Sequence, residues 1–76
     1  MKLHLGGYLG WYEPQRRSWL EIPLTEPTRL TDVVRRLGIP LAEVSLAAIN
    51  GVAVSMSDTQ VSDADEVELH PPLAGG

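Results

Sequence analysis

Pro71-Pro72 is the feature of this chain that leaves the fewest folds open. Proline lacks a backbone N–H and fixes φ, so two in a row end a strand and turn the chain outward as a stiff, extended stalk. Directly before them, Glu66-Val67-Glu68-Leu69-His70 alternates polar and apolar residues, the pattern of a half-buried strand. After them, Leu73 is the only anchoring side chain before Gly75-Gly76, and glycine loses more conformational entropy on ordering than any other residue. The expected layout is a head over residues 1–72 and a flexible tail over 73–76, thin enough for a narrow channel and tipped by a carboxylate.

The rest of the chain supplies strands for that head and one helix. Lys2-Leu3-His4-Leu5 alternates, and Gly6-Gly7 breaks it. Residues 8–17 read as a loop, with Gly10 and Pro14 as turn residues. Ser18 to Leu24 alternates again, and Pro23 suggests an edge strand because it cannot donate to a ladder. Thr28 is a plausible helix cap, followed by Leu30, Val33, Val34 and Leu37 on one helical face. Asp32 and Arg36 lie four apart on the other face, and Gly38 and Pro40 terminate the helix. Leu41 to Val44 fit one short helical turn. Ser45–Ile49 and Val52–Val54 flank Asn50-Gly51, a strong hairpin signal that pairs Ile49 with Val52 and Ala47 with Val54. Residues 55–65 read as polar loop anchored by Val61.

This order of elements predicts an α+β domain in which one main helix covers one face of a mixed four- to five-stranded sheet. For Val67 and Leu69 to meet Leu3 and Leu5, the last strand must lie centrally, beside the first and parallel to it. That arrangement is the ubiquitin-like β-grasp.

Composition narrows the functions. The 76 residues make a single domain, and a domain of this size buries only about 60% of its unfolded surface. The absence of cysteine excludes a disulfide framework, a thiolate zinc site and a cysteine nucleophile. No membrane-length apolar run or secretory signal pattern is present, so the expected location is cytoplasmic. The net charge of −4 is divided unevenly. Residues 1–36 hold all six Lys and Arg against Glu13, Glu21, Glu26 and Asp32, a balance of +2. Residues 37–76 hold six acids and no base, a balance of −6. An acidic half beside the tail argues for a basic protein partner rather than nucleic acid or a membrane.

Three motifs together resemble the MoaD/ThiS sulfur-carrier family, ubiquitin-like proteins ending in Gly-Gly. Ala48-Ile49-Asn50-Gly51 is similar to the family's hairpin, and Val61-Ser62-Asp63-Ala64-Asp65-Glu66-Val67 to its L-x-D-G-D-E-V turn. Pro71-Pro72-Leu73-Ala74-Gly75-Gly76 is similar to its P-P-V-x-G-G tail, with a Pro-Pro spacing nearer to MoaD, the small subunit of molybdopterin synthase, than to ThiS of thiazole synthesis. The chain departs from the pattern at His70, where an aromatic often precedes Pro-Pro, at Gly6, where an aromatic often precedes the glycine, and at Ala64, where the turn has glycine.

The resemblance implies a carrier with no self-contained active site. A carboxylate is a poor electrophile, so an adenylating enzyme (MoeB/ThiF-like, of the ubiquitin-activating type) would use ATP to convert the Gly76 carboxylate to an acyl-adenylate. A sulfur donor would then displace AMP and leave a thiocarboxylate. The acceptor would be a MoaE-like synthase large subunit or another sulfur-accepting enzyme, entered by Leu73, Ala74, Gly75 and Gly76. Strand alternation puts Lys2, His4, Trp19, Glu66, Glu68 and His70 on the sheet face away from the helix. The expected partner-binding residues are Trp19, Glu66, Glu68, His70, Pro71 and Pro72.

Other chemistry is weakly supported. His4 and His70 are too few for zinc, and Asp63, Asp65 and Glu66 lack EF-hand spacing and suit a turn. No G-x-G-x-x-G or P-loop is present, and Arg16-Arg17 is too small a patch for nucleic acid. The competing class is a ubiquitin-like modifier or binding module, whose tail forms an isopeptide bond or is inert.

Overall fold

The computed structural model describes residues 1–72. In chain order its elements are β1 (Lys2–Leu5), β2 (Trp19–Glu21), β3 (Thr28–Arg29), α1 (Leu30–Arg36), β4 (Leu46–Ile49), β5 (Val52–Val54), β6 (Gln60–Val61) and β7 (Glu66–His70). The main sheet runs β2-β1-β7-β4-β5, and β3 pairs with β6 in a separate two-stranded ladder. β1 and β7 are parallel, with Leu3 opposite Val67 and Leu5 opposite Leu69. The other pairings within the main sheet are antiparallel. This is a β-grasp fold, with a mixed five-stranded sheet and one main helix.

Alternation makes the core. Leu3, Leu5, Val67 and Leu69 send their side chains to one face and are buried against Leu30, Val33 and Val34 of α1. Each such side chain contributes about 1.5–3 kcal/mol of hydrophobic stabilisation when fully buried. Leu20 and Ala47 extend the core under β2 and β4, with Ile22 packed at its margin. The β4–β5 hairpin has the expected register, Ile49 opposite Val52 and Ala47 opposite Val54. Its turn needs positive φ at both central residues, and Asn50 and Gly51 supply 51° and 85°.

Two ends of α1 behave differently. At its C-terminal end the Gly38 N–H reaches the Arg35 carbonyl at 3.0 Å, and the Ile39 N–H reaches that of Val34 at 3.3 Å. With Gly38 at φ +76°, this is a Schellman closure, and both Val34 and Ile39 are core residues. At the N-terminal end Thr28 is not the cap. It lies in β3 opposite Val61, Arg29 takes the cap position without a side-chain bond, and the Leu30 N–H donates instead to the Thr59 carbonyl at 3.0 Å. A neighbouring segment thus does the work expected of a capping hydroxyl. Asp32 pairs with Arg35 at 3.5 Å rather than with Arg36, an exposed contact of little weight.

Two segments expected to be loop carry structure. Gly7–Tyr12 forms a 3-10 helix held by the fully buried Leu9. Residues 55–65 contain a 3-10 turn at Met56–Asp58 and β6, where Val61 is fully buried as expected. Leu41–Glu43 forms the expected helical turn, and the strand around Pro23 is shorter than its alternation suggested, though β2 is an edge strand. Among the described residues no helix is long and apolar enough to cross a membrane.

Leu69→Ala should cost about 2–5 kcal/mol, since it opens a cavity in the central strand. Leu46→Ala, on the other face and 47% exposed, should stay within about 0.5 kcal/mol. Chemical denaturation of both variants checks this, and equal losses would show that the core does not lie where the alternation puts it.

Candidate functional site at the base of the stalk

β7 leads directly into Pro71 and Pro72, so its last residue is the root of the stalk. His70 is fastened on two sides. Its carbonyl accepts a 2.8 Å hydrogen bond from the Ser45 N–H, while the Gly6 N–H donates to the Leu69 carbonyl at 2.8 Å. The root therefore sits between the end of β1 and the residue that precedes β4.

Gly6 and Gly7 are shaped for what they hold. A Cβ at Gly6 would strike the His70 imidazole and come within 3.0 Å of the Leu69 carbonyl oxygen. Gly7 has φ +50°, and a Cβ there would lie 2.8 Å from Cγ of Pro71. Gly6 and His70, two of the three positions at which the sequence departs from the pattern it resembles, are thus in contact: the ring occupies the space that a side chain at position 6 would fill.

The open face of the sheet carries a row of rings across three strands. Trp19 on β2 stacks on His4 of β1 with centroids 4.7 Å apart, and His4 meets His70 of β7 edge-on at 6.1 Å. Leu46 of β4, opposite His70, continues the row. Trp19 is 53% exposed, on the open face rather than in the core. Glu68 lies beside this row, its Oε2 at 3.4 Å from His70 Nε2. Glu66 lies at the far end of β7, opposite Lys2, and no ion pair closes between the two among the described residues. The fold therefore gathers Trp19, Glu68, His70 and Pro71 at the stalk root, with Glu66 on the same face but remote. Leu73, Ala74, Gly75 and Gly76, and the expected mobility of that tail, lie outside the described residues.

Sequence reasoning missed Gly7, Ser45 and Leu46 at this root. It also missed Glu13, a buried carboxylate in the loop beside it. Glu13 accepts the Arg17 and Gln15 backbone N–H groups at 2.7 and 2.9 Å, and the Arg17 guanidinium at 2.9 Å. The Arg17 side-chain and backbone bonds together hold its carboxyl at about 2, against an ordinary value of 4.5. The i, i+4 spacing of Glu13 and Arg17 around Pro14 was the available signal. Next to it, Tyr8 donates its hydroxyl to Glu43, which ties the 3-10 helix to the turn before β4 and raises the Tyr8 pKa.

The acidic turn is structural. Asp63 accepts the Leu24 N–H at 2.9 Å and the Met1 ammonium at 3.2 Å, and these two contacts lower its pKa in that order. Asp65 accepts the Ser62 N–H at 2.8 Å and the Asn50 amide at 3.1 Å, while Asn50 Oδ1 receives the Glu66 N–H at 2.9 Å. Carboxylates spent on N–H donors in this way are turn bolts. Among the described residues no group of three or more potential ligands is placed to hold a metal ion.

A depressed carboxyl pKa contributes stability that is present above the unfolded-state value and is lost as pH falls toward the folded-state value. The melting-temperature gap between the wild type and Glu13→Gln should therefore be full above pH 4.5 and close as pH falls toward about 2. Parallel melting profiles across that window would show that the ionised Glu13 does not hold the loop.

The ThiS family matches residues 8–76, from the 3-10 helix through β7 and the tail. No curated protein matches the chain. The matched span covers nearly all of the sequence, including β7 and the Ser45 side of the stalk root, and begins just after Gly6 and Gly7. The chain belongs to the ThiS family of small sulfur carriers, which work with adenylating enzymes and sulfur acceptors.

Proposed function

We propose that this carrier delivers sulfur from a thiocarboxylate on Gly76, and that its acceptor is a molybdopterin synthase large subunit. The observation that carries the reading is the stalk: a family-matched tail of Pro-Pro-x-x-Gly-Gly sequence leaves a root fastened by Gly6, Gly7 and Ser45. A carboxylate oxygen of Gly76 attacks the α-phosphorus of ATP in the adenylating enzyme, and pyrophosphate leaves. A sulfide-level sulfur nucleophile, such as hydrosulfide, attacks the acyl carbon, AMP leaves, and the sulfur's proton goes to solvent, giving the thiocarboxylate. In the acceptor that sulfur is the nucleophile, anionic at neutral pH. The carrier's part is presentation. Glycine at 75 and 76 lets the tip pass where a side chain would be stopped.

The face that meets the partners is the open one. Trp19, the His70 ring and the stalk prolines form its centre, and Glu66 and Glu68 supply charge that tunes association rate and specificity. A cation-rich activating enzyme suits this face. The Pro-Pro spacing favours molybdopterin synthesis over thiazole synthesis. Thiocarboxylated carrier should therefore convert the sulfur-free precursor when supplied with a molybdopterin synthase large subunit, and should be inert with a thiazole synthase. The reverse outcome assigns the carrier to thiazole synthesis, and lysine conjugates without sulfur transfer would make it a modifier.

Deleting Gly76, or replacing Gly75 with Trp, should abolish transfer while changing stability by no more than about 0.5 kcal/mol. A large drop in melting temperature would mean that the tail is structural. Charge reversal at both Glu66 and Glu68 should slow association with the activating enzyme at low salt, where exposed charges are least screened, and flatten its salt dependence. Wild-type association by the double variant at low salt would place the docking face elsewhere.

A further inference from the structure

We infer that Gly6 and Gly7 are positioning residues for the carrier reaction: by making room for the His70 imidazole and the Pro71 ring, they set the direction in which the stalk leaves the domain. This rests on the carrier reading above and adds a role for residues far in sequence from the tail.

Gly6 makes the case most sharply. Its backbone is ordinary extended chain, φ −75° and ψ 158°, which any residue adopts. The conformation does not call for glycine, and the nearest atoms to a Cβ there would be those of the His70 ring and the Leu69 carbonyl oxygen, both belonging to the end of β7. Glycine at this position serves the stalk root. Gly7 adds a backbone reason, φ +50°, and a steric one, since a Cβ would lie 2.8 and 3.2 Å from Cγ and Cδ of Pro71. Opposite them, Ser45 holds the His70 carbonyl. The last residue with rotational freedom before two stiff prolines is thus gripped from both sides, and an error in its orientation is carried outward by the stalk.

A displacement of about 1 Å at a reacting group can cost on the order of a hundredfold in rate, whereas docking through the open face does not depend on where the tail points. The signature of mispositioning is accordingly a fall in kcat with little change in KM.

Gly6→Ala is the test, with Gly6→Ala/His70→Ala as its partial relief, since removing the ring removes the closest contacts and leaves the one to the Leu69 carbonyl oxygen at 3.0 Å. Turnover of each carrier by an adenylating enzyme with ATP and a sulfur donor should show a kcat loss of about tenfold or more in Gly6→Ala, with KM within about threefold. The double variant should turn over faster than Gly6→Ala. Nuclear Overhauser contacts from Gly7 to the Pro71 ring should be present in the wild type and lost in Gly6→Ala, while the contacts between Leu3 and Val67 persist. Wild-type kcat in Gly6→Ala, no relief in the double variant, or Gly7–Pro71 contacts that survive the substitution would each overturn the inference. If Gly6→Ala does not fold, Gly7→Ala decides, since its Cβ would lie 2.8 Å from Cγ of Pro71: a kcat loss with KM within about threefold is expected, and an unchanged kcat is fatal to the proposal. A wild-type carrier that no such enzyme adenylates would contradict the carrier reading instead, and the Overhauser contacts would still judge the clamp.

Discussion

The parallel pairing of β1 with β7 is the interaction on which the rest of this molecule depends. Parallel neighbours cannot be joined by a short turn, so the chain must travel through β2, α1 and the β4–β5 hairpin before it returns to the centre. That detour supplies the helix that buries Leu3, Leu5, Val67 and Leu69, and it leaves both edges of the sheet to the shorter β2 and β5. It also puts the last strand where it is most firmly held, with β1 on one side and β4 on the other. A stalk launched from a central strand inherits the rigidity of the whole sheet. A tail launched from an edge strand would not.

The acidic half of the chain divides under the same scrutiny. Asp63 and Asp65 face N–H donors of Leu24, Ser62, Asn50 and the Met1 ammonium, and fasten the turn that delivers the chain into β7. Their charge is committed to the fold. Glu66 and Glu68, which alternate onto the open face, are the acids in β7 available to a partner, and only Glu68 stands beside the stalk root. The row of Trp19, His4 and His70 rings, continued by Leu46, gives that face its character.

Much of this was legible from residue order. Period-two alternation in Lys2–Leu5 and Glu66–His70 yields the central register residue by residue, and Asn50-Gly51 yields the hairpin, because both signals are local and steric. The failures share a cause. The cap of α1 comes from the Thr59 carbonyl, a residue 29 positions downstream of the Leu30 it supports, just before a ladder of two-residue strands too short to show a period. The 3-10 helix at Gly7–Tyr12 depends on burying one leucine and on Glu13 gathering donors from Gln15 and Arg17, which looks in sequence like a charged loop. The clamp at the stalk root was visible only as a departure from the carrier pattern. Gly6 and His70 are 64 residues apart, and their mutual fit exists only once β1 and β7 lie side by side.

The central claim is that the tail of this domain carries sulfur as a thiocarboxylate. Intact-mass spectrometry of the carrier after incubation with its adenylating enzyme, ATP and a sulfur donor tests it most directly. The account predicts exchange of one oxygen for one sulfur, localised by fragmentation to the Gly76 carboxyl. An adenylate that forms and returns only unmodified carrier, or one that passes to lysine side chains, would contradict it.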